Sequence, residues 1–163
     1  MAATTAALLC LLLLGSAARP PAVRLVWNPS ASSPTGLYRI YPGELPKRGE
    51  MALAWAPPAA RQLAAERHYL PRNVPLVKRA AATAGDQVCA GGTRLTRNGQ
   101  PLLRRRAADP KARALPWWNG CRRLGPGELL LANPASPLAF DGRYFGITRA
   151  ADVAGRAELL WRW

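Results

Sequence analysis

At 163 residues the chain holds one domain with enough length for a sizeable core, and a 49% share of hydrophobic residues excludes a disordered protein. A formal charge of +14, from 23 Lys plus Arg against 9 Asp plus Glu, favours anionic surfaces such as lipid headgroups. No aromatic-interleaved basic helix or RNA-binding signature accompanies that charge, so no nucleic-acid partner is expected, and a single histidine, His68, excludes most histidine-based catalysis and leaves no metal or other cofactor expected.

Residues 2–18, AATTAALLCLLLLGSAA, are uncharged and mostly apolar, at the lower edge of what spans a bilayer as a helix. Two readings stay open for segment 1–18. It is a membrane anchor with Arg19 and Arg24 at its downstream edge, or a signal segment cleaved after Ser16-Ala17-Ala18. The missing basic start favours the anchor, leaving residues 19–163 as the exported domain. Sixteen prolines and fourteen glycines suit a mainly β domain of short strands and turns.

The stretch Val26–Tyr38 organises the rest. Asn28, Ser30, Ser32, Pro34, Gly36 and Tyr38 fall on even positions, so an extended segment places them on one face. Pro34 and Gly36 then predict a turn directly after Ser32, which would present that hydroxyl for attack. Leu37–Tyr41 reads as a strand. Gly-acid pairs at Gly49-Glu50, Gly85-Asp86 and Gly127-Glu128 read as turns feeding strands at Met51–Trp55, Val88 onward and Leu129–Ala132. Pro57-Pro58 followed by AARQLAAERHYL predicts one short soluble helix, with His68 near its end as a surface residue. Asn98-Gly99 marks a hairpin. The basic run Arg104–Arg113 is expected to be a solvated loop, and Trp117-Trp118 to cover core or line a surface. Phe140–Thr148 and Ala157–Trp163 read as closing strands.

Lys78 differs from the other two lysines. Lys47 and Lys111 lie among prolines, glycines and charges, whereas Lys78 is flanked by Leu76-Val77 and Ala80-Ala81-Ala82. On a strand it shares a face with Leu76 and Ala80, while Arg79 points the other way. An ammonium on a dry face loses hydration, and its pKa falls from about 10.4 toward about 8. A neutral amine of that kind can take a proton from a serine hydroxyl without any histidine. A lysine merely snorkelling from a half-buried strand is the alternative. Cys10 lies in the N-terminal apolar run, leaving Cys89 and Cys121 as free thiols or, in an oxidising compartment, a possible pair.

Four segments, in order along the chain, resemble the type I signal peptidases, and most closely the conjugative-transfer signal peptidases of the TraF type. They are Asn28-x-Ser30-x-Ser32-x-Pro34-x-Gly36-Leu37-Tyr38; Pro75-Leu-Val-Lys78-Arg79 with Gly85-Asp86-x-Val88-Cys89; Leu115-Pro-Trp-Trp-Asn-Gly120-Cys121; and Phe140-Asp141-Gly142-Arg143-Tyr144-Phe145-Gly146. The resemblance implies a signal peptidase and LexA-like β-ribbon fold. It further implies Ser32 as nucleophile, Lys78 as general base, an oxyanion hole from the Ser30 hydroxyl and the Ser32 backbone N–H, and Asp141 as a third polar site residue. Arg143 would support Asp141, and Cys89 and Cys121 would form a disulfide. The implied substrate is an exported precursor, foremost the propilin of a conjugative type IV secretion system. The implied setting is the bacterial inner membrane with the catalytic domain facing the periplasm. This sequence departs from the family where Gly142 and Ala139 stand at positions often held by serine, which puts hydrogen bonding around Asp141 in question. Ser33 adjoins Ser32, but the Ser-x-Pro-x-Gly-x-Tyr spacing selects Ser32. Rivals are a general housekeeping signal peptidase, a self-cleaving repressor-type protease, and a non-catalytic basic scaffold of the secretion channel.

Overall fold

The apolar and alternating runs become strands in the computed structural model, which describes residues 22–162. The expected anchor over residues 1–18 lies outside the described residues. Among those described, no helix is long and apolar enough to cross a membrane. The strands are β1 (Leu25–Asn28), β2 (Gly36–Pro42), β3 (Met51–Ala54), β4 (Leu76–Ala82), β5 (Gln87–Gly91), β6 (Arg94–Arg97), β7 (Gln100–Arg104), β8 (Gly120–Arg123), β9 (Glu128–Leu131), β10 (Thr148–Arg149) and β11 (Val153–Arg162). Helices are short: α1 (Pro58–Glu66), starting on a proline as the sequence suggested, and a single turn α2 (Gly142–Phe145). The fold is mainly β.

Seven strands form one antiparallel sheet in the order β1-β2-β11-β3-β4-β9-β10, and four form a second in the order β7-β6-β5-β8. Strand β4 sits inside the large sheet, pairing Lys78 with Ala52 of β3 and Ala80 with Leu131 of β9. Met51, Leu53 and Val77 pack with Tyr38 and Ile40 on one face, and Ala52, Ala54, Ala80, Leu129 and Leu131 pack on the other. Small alanines beside Lys78 leave room on that second face for a long side chain. Ala82, Val88, Leu95, Leu103, Leu124 and Leu130 join the two sheets in a third cluster. Asn98 and Gly99 both carry positive φ (51° and 78°), as a tight hairpin between β6 and β7 requires.

Four expectations need correction. The serine segment is not one extended face: β1 ends at Asn28, and the chain turns over residues 30–33, closed by Ser33 N–H donating to Ser30 O at 3.3 Å. Gly36 opens β2 rather than making the turn; a Cβ there would stand 2.0 Å from the Trp161 carbonyl oxygen. Of the expected strand Phe140–Thr148 only Thr148 is extended, as the start of β10, because Asp141 caps α2 by accepting from Arg143 N–H, and local side-chain bonding overrides the apolar pattern. The basic run is not wholly solvated: Arg105 and Asp109 are buried. Arg105 donates to Gly92 O, Trp118 O and Asn119 Oδ1 and lies 4.5 Å from the Trp117 ring centroid, so the paired tryptophans hold the loop onto the small sheet.

Candidate active site

The serine turn is built from its ends inward. Asn28, the last residue of β1, donates from Nδ2 to Ser30 O (3.1 Å) and Pro34 O (3.0 Å) and accepts from Ser30 N–H. Tyr38 on β2 donates to Pro34 O at 2.7 Å. Ser33, 2% exposed, donates its hydroxyl to Val77 O at 2.6 Å and pins the turn to β4 one residue before Lys78. Ser33 is thereby consumed, whereas Ser30 and Ser32 line the groove.

Lys78 Nζ lies 2.5 Å from Ser32 Oγ and 3.5 Å from Ser32 O. The lysine is 2% exposed. Burial lowers its pKa to about 8; the carboxylate of Asp141 pulls the value back up and the Arg143 guanidinium pulls it down. A group poised there is neutral in useful amounts near neutral pH. Ser30 Oγ lies 2.8 Å from Ser32 Oγ and accepts from Ser32 N–H at 3.4 Å, so the Ser30 hydroxyl and the Ser32 amide are neighbours beside the candidate nucleophile.

Asp141 and Arg143 form a buried ion pair, 0% and 1% exposed at their side chains, with Arg143 Nε donating to Asp141 Oδ1 at 2.7 Å. Asp141 accepts four hydrogen bonds, from Asn133 N–H, Arg143 N–H, Arg143 Nε and Arg143 Nη2. Gly142 and Ala139 therefore leave its carboxylate fully bonded. A Cβ at Gly142 would meet Leu131 O at 2.8 Å, so the serine common in the family has no room here without a shift. Asp141 hydrogen-bonds to neither Ser32 nor Lys78. The link runs through Asn133, which sequence reasoning missed: its Nδ2 donates to Ser32 O at 3.0 Å, and its own carbonyl accepts from Arg143 Nη2 at 2.7 Å. An Asn-Pro step leaving an apolar strand was the only available signal, and it marks many ordinary turns.

A groove of about 560 Å³ runs past Ser32 and Lys78. Its walls come from α1 (Ala60, Ala64), the Leu70–Val77 approach to β4, and the Ser136–Phe140 loop. Asp109 lines it as well but is fully occupied, bonding to the Tyr69 hydroxyl, Arg113 Nε and the Lys111 and Arg113 amides. Burial alone would raise the Asp109 carboxyl; those hydrogen bonds overcome it and hold the group below the usual carboxylate range. Cys89 on β5 and Cys121 on β8 are joined by a disulfide with an S–S distance of 2.09 Å. No group of three or more potential metal ligands occurs among the described residues.

A family model described as "Signal peptidase, peptidase S26" matches residues 1–163. The chain belongs to the signal peptidase family. It is 32% identical over 147 residues to the plasmid transfer protein TraF of Escherichia coli, covering 82% of each chain. Among solved structures it is similar to a signal peptidase I from Enterococcus faecalis, at 20% identity and a TM-score of 0.38, covering 69% of this chain and 97% of that one. Membership of this family implies serine peptidase activity on a precursor substrate.

Proposed function

We propose that this protein is a membrane-anchored serine endopeptidase, facing the periplasm, that processes the propilin of a conjugative type IV secretion system. Residues 1–18 serve as the anchor and residues 19–163 as the catalytic domain. The observation that carries the chemistry is the 2.5 Å approach of Lys78 Nζ to Ser32 Oγ inside an apolar wall. The 32% identity to a plasmid transfer protein supports the conjugative setting.

In this reading the neutral Lys78 amine takes the Ser32 hydroxyl proton as Oγ attacks the scissile carbonyl. The resulting oxyanion is held by the Ser30 hydroxyl, once it rotates away from Ser32 Oγ, and by the Ser32 amide; each such donor contributes on the order of 3 kcal/mol. Lys78 then protonates the departing amine, leaving an acyl-Ser32 ester. Water, deprotonated by Lys78, attacks that ester and returns the enzyme. Asp141, Arg143 and Asn133 keep the turn rigid rather than exchange protons.

The test is processing of a candidate propilin, read by mass spectrometry of its ends. Ser32→Ala and Lys78→Ala each abolish cleavage while the protein keeps its melting transition. A protein that supports pilus assembly undiminished with either change is a scaffold instead.

A further inference from the structure

Among the described residues, one arginine lining the groove keeps a buried side-chain nitrogen without a hydrogen bond. Arg61, in the first half of α1, lines the same groove as Ser32. Its Nε is buried and makes no hydrogen bond. Among the described residues its guanidinium forms no ion pair, and its contact is the face of Trp55, 5.5 Å from the ring centroid. Buried polar atoms are nearly always satisfied, so an orphan of this kind asks for an explanation. Arg67 carries the other orphan nitrogen, Nη1, but that one lies 3.6 Å from Asp109 and is explained by charge.

Among the described residues the groove holds no free carboxylate to offset Arg61. Asp109, the acid lining it, is consumed by Tyr69, Arg67 and Arg113. The remaining charged wall residues, Lys78 and Arg106, are basic. Stacking on Trp55 restricts the guanidinium while leaving its fork of donors available, the geometry that suits a carboxylate. Apolar alanine and leucine walls would strengthen such a pair by excluding water.

We propose that Arg61 is a specificity-determining residue that pairs with an acidic side chain in the peptide bound along the groove. The inference rests on the peptidase reading above, because it takes the occupant of the groove to be an extended substrate segment. The substrate class is thereby narrowed to precursors whose processing segment combines small apolar residues with a glutamate or aspartate.

Internally quenched peptides with a small-residue core, carrying Glu or Gln at each position in turn across the segment, are presented to the full-length protein in detergent. A further peptide with Glu beyond the segment controls for the general pull of a basic protein. At one position Glu is favoured over Gln by about tenfold in kcat/KM. That ratio falls to near one in Arg61→Gln, is partly restored in Arg61→Lys, and in Arg61→Glu passes to a Lys-bearing peptide. Binding of the same peptides to Ser32→Ala, followed by fluorescence anisotropy, reads Arg61 without catalysis. Equal affinity for Glu and Gln peptides at every position, or a Glu preference that survives Arg61→Gln, overturns the assignment. Selective binding without any cleavage by the parent overturns the peptidase reading and leaves the carboxylate site standing.

Discussion

At the scale of single residues, Lys78 carries two consequences of one desolvation. A pKa of about 8 means that the neutral amine grows roughly tenfold between pH 7 and pH 9. Processing rises by that factor over this range and levels off above it; a flat profile removes Lys78 as the base. Stability follows the same group with its own sign. Below about pH 8 the folded protein holds an ammonium in a dry site, at a cost of about 3 kcal/mol relative to the unfolded chain. Between about 8 and 10.5 the unfolded chain alone keeps the proton, so this group's contribution to stability rises with pH. Lys78→Met accordingly melts above the parent at pH 7, and the gap narrows by pH 9.5. Asn133 acts differently, as a positioning residue on the Ser32 carbonyl. Its backbone bonds to Asp141 and Arg143 survive Asn133→Ala, so the fold persists while kcat drops roughly 10- to 100-fold. KM and the midpoint of the pH profile stay in place; a change confined to KM would falsify the positioning role.

Among elements, β2 and β11 set the frame on which the serine turn hangs. They pair from Pro42 with Gly155 to Gly36 with Arg162, with a bulge between Leu159 and Trp161. The bulge brings the Trp161 carbonyl against Gly36, whose φ of +145° no ordinary side chain favours. Gly36→Ala meets both obstacles and costs roughly 3 kcal/mol or more. In a domain of this size that lowers the melting temperature by roughly 6–12 °C, and an unchanged thermal scan rules the clash out. The serine turn also shows where reading the chain locally fell short. Even spacing of Asn28, Ser30 and Ser32 is compatible with a strand, but Asn28 Nδ2 draws the carbonyls of Ser30 and Pro34 together and bends the backbone. A side chain with two donors outcompeted the period-2 pattern. At α2 the same competition, through Asp141 and Arg143, turned a run of aromatics into a helical turn.

Over the whole molecule, the small sheet is tied to itself by the Cys89–Cys121 bridge across a separation of 32 residues, joining β5 to its edge strand β8. Closing a loop of that length contributes about 3–4 kcal/mol in the chain-entropy view. Replacing both cysteines with serine, or reducing the bridge, lowers the melting temperature by roughly 6–16 °C. Calorimetry with and without reductant checks this, and coincident transitions refute it. Ser32 and Lys78 hang on the large sheet, away from β8, so processing below the new melting point changes less than stability does.

The sequence by itself determined the mainly β character, the hairpin at Asn98-Gly99 and the apolar setting of Lys78. Each follows from near neighbours: alternation, turn chemistry, or the residues flanking a charge. Only the tertiary structure decided that Asn133 reaches Ser32 across 101 residues, that Arg105 is buried, and that among the described residues Arg61 Nε is buried without a hydrogen bond. Such facts depend on which distant side chains and carbonyls meet, and a buried polar group is defined by partners that no local pattern encodes.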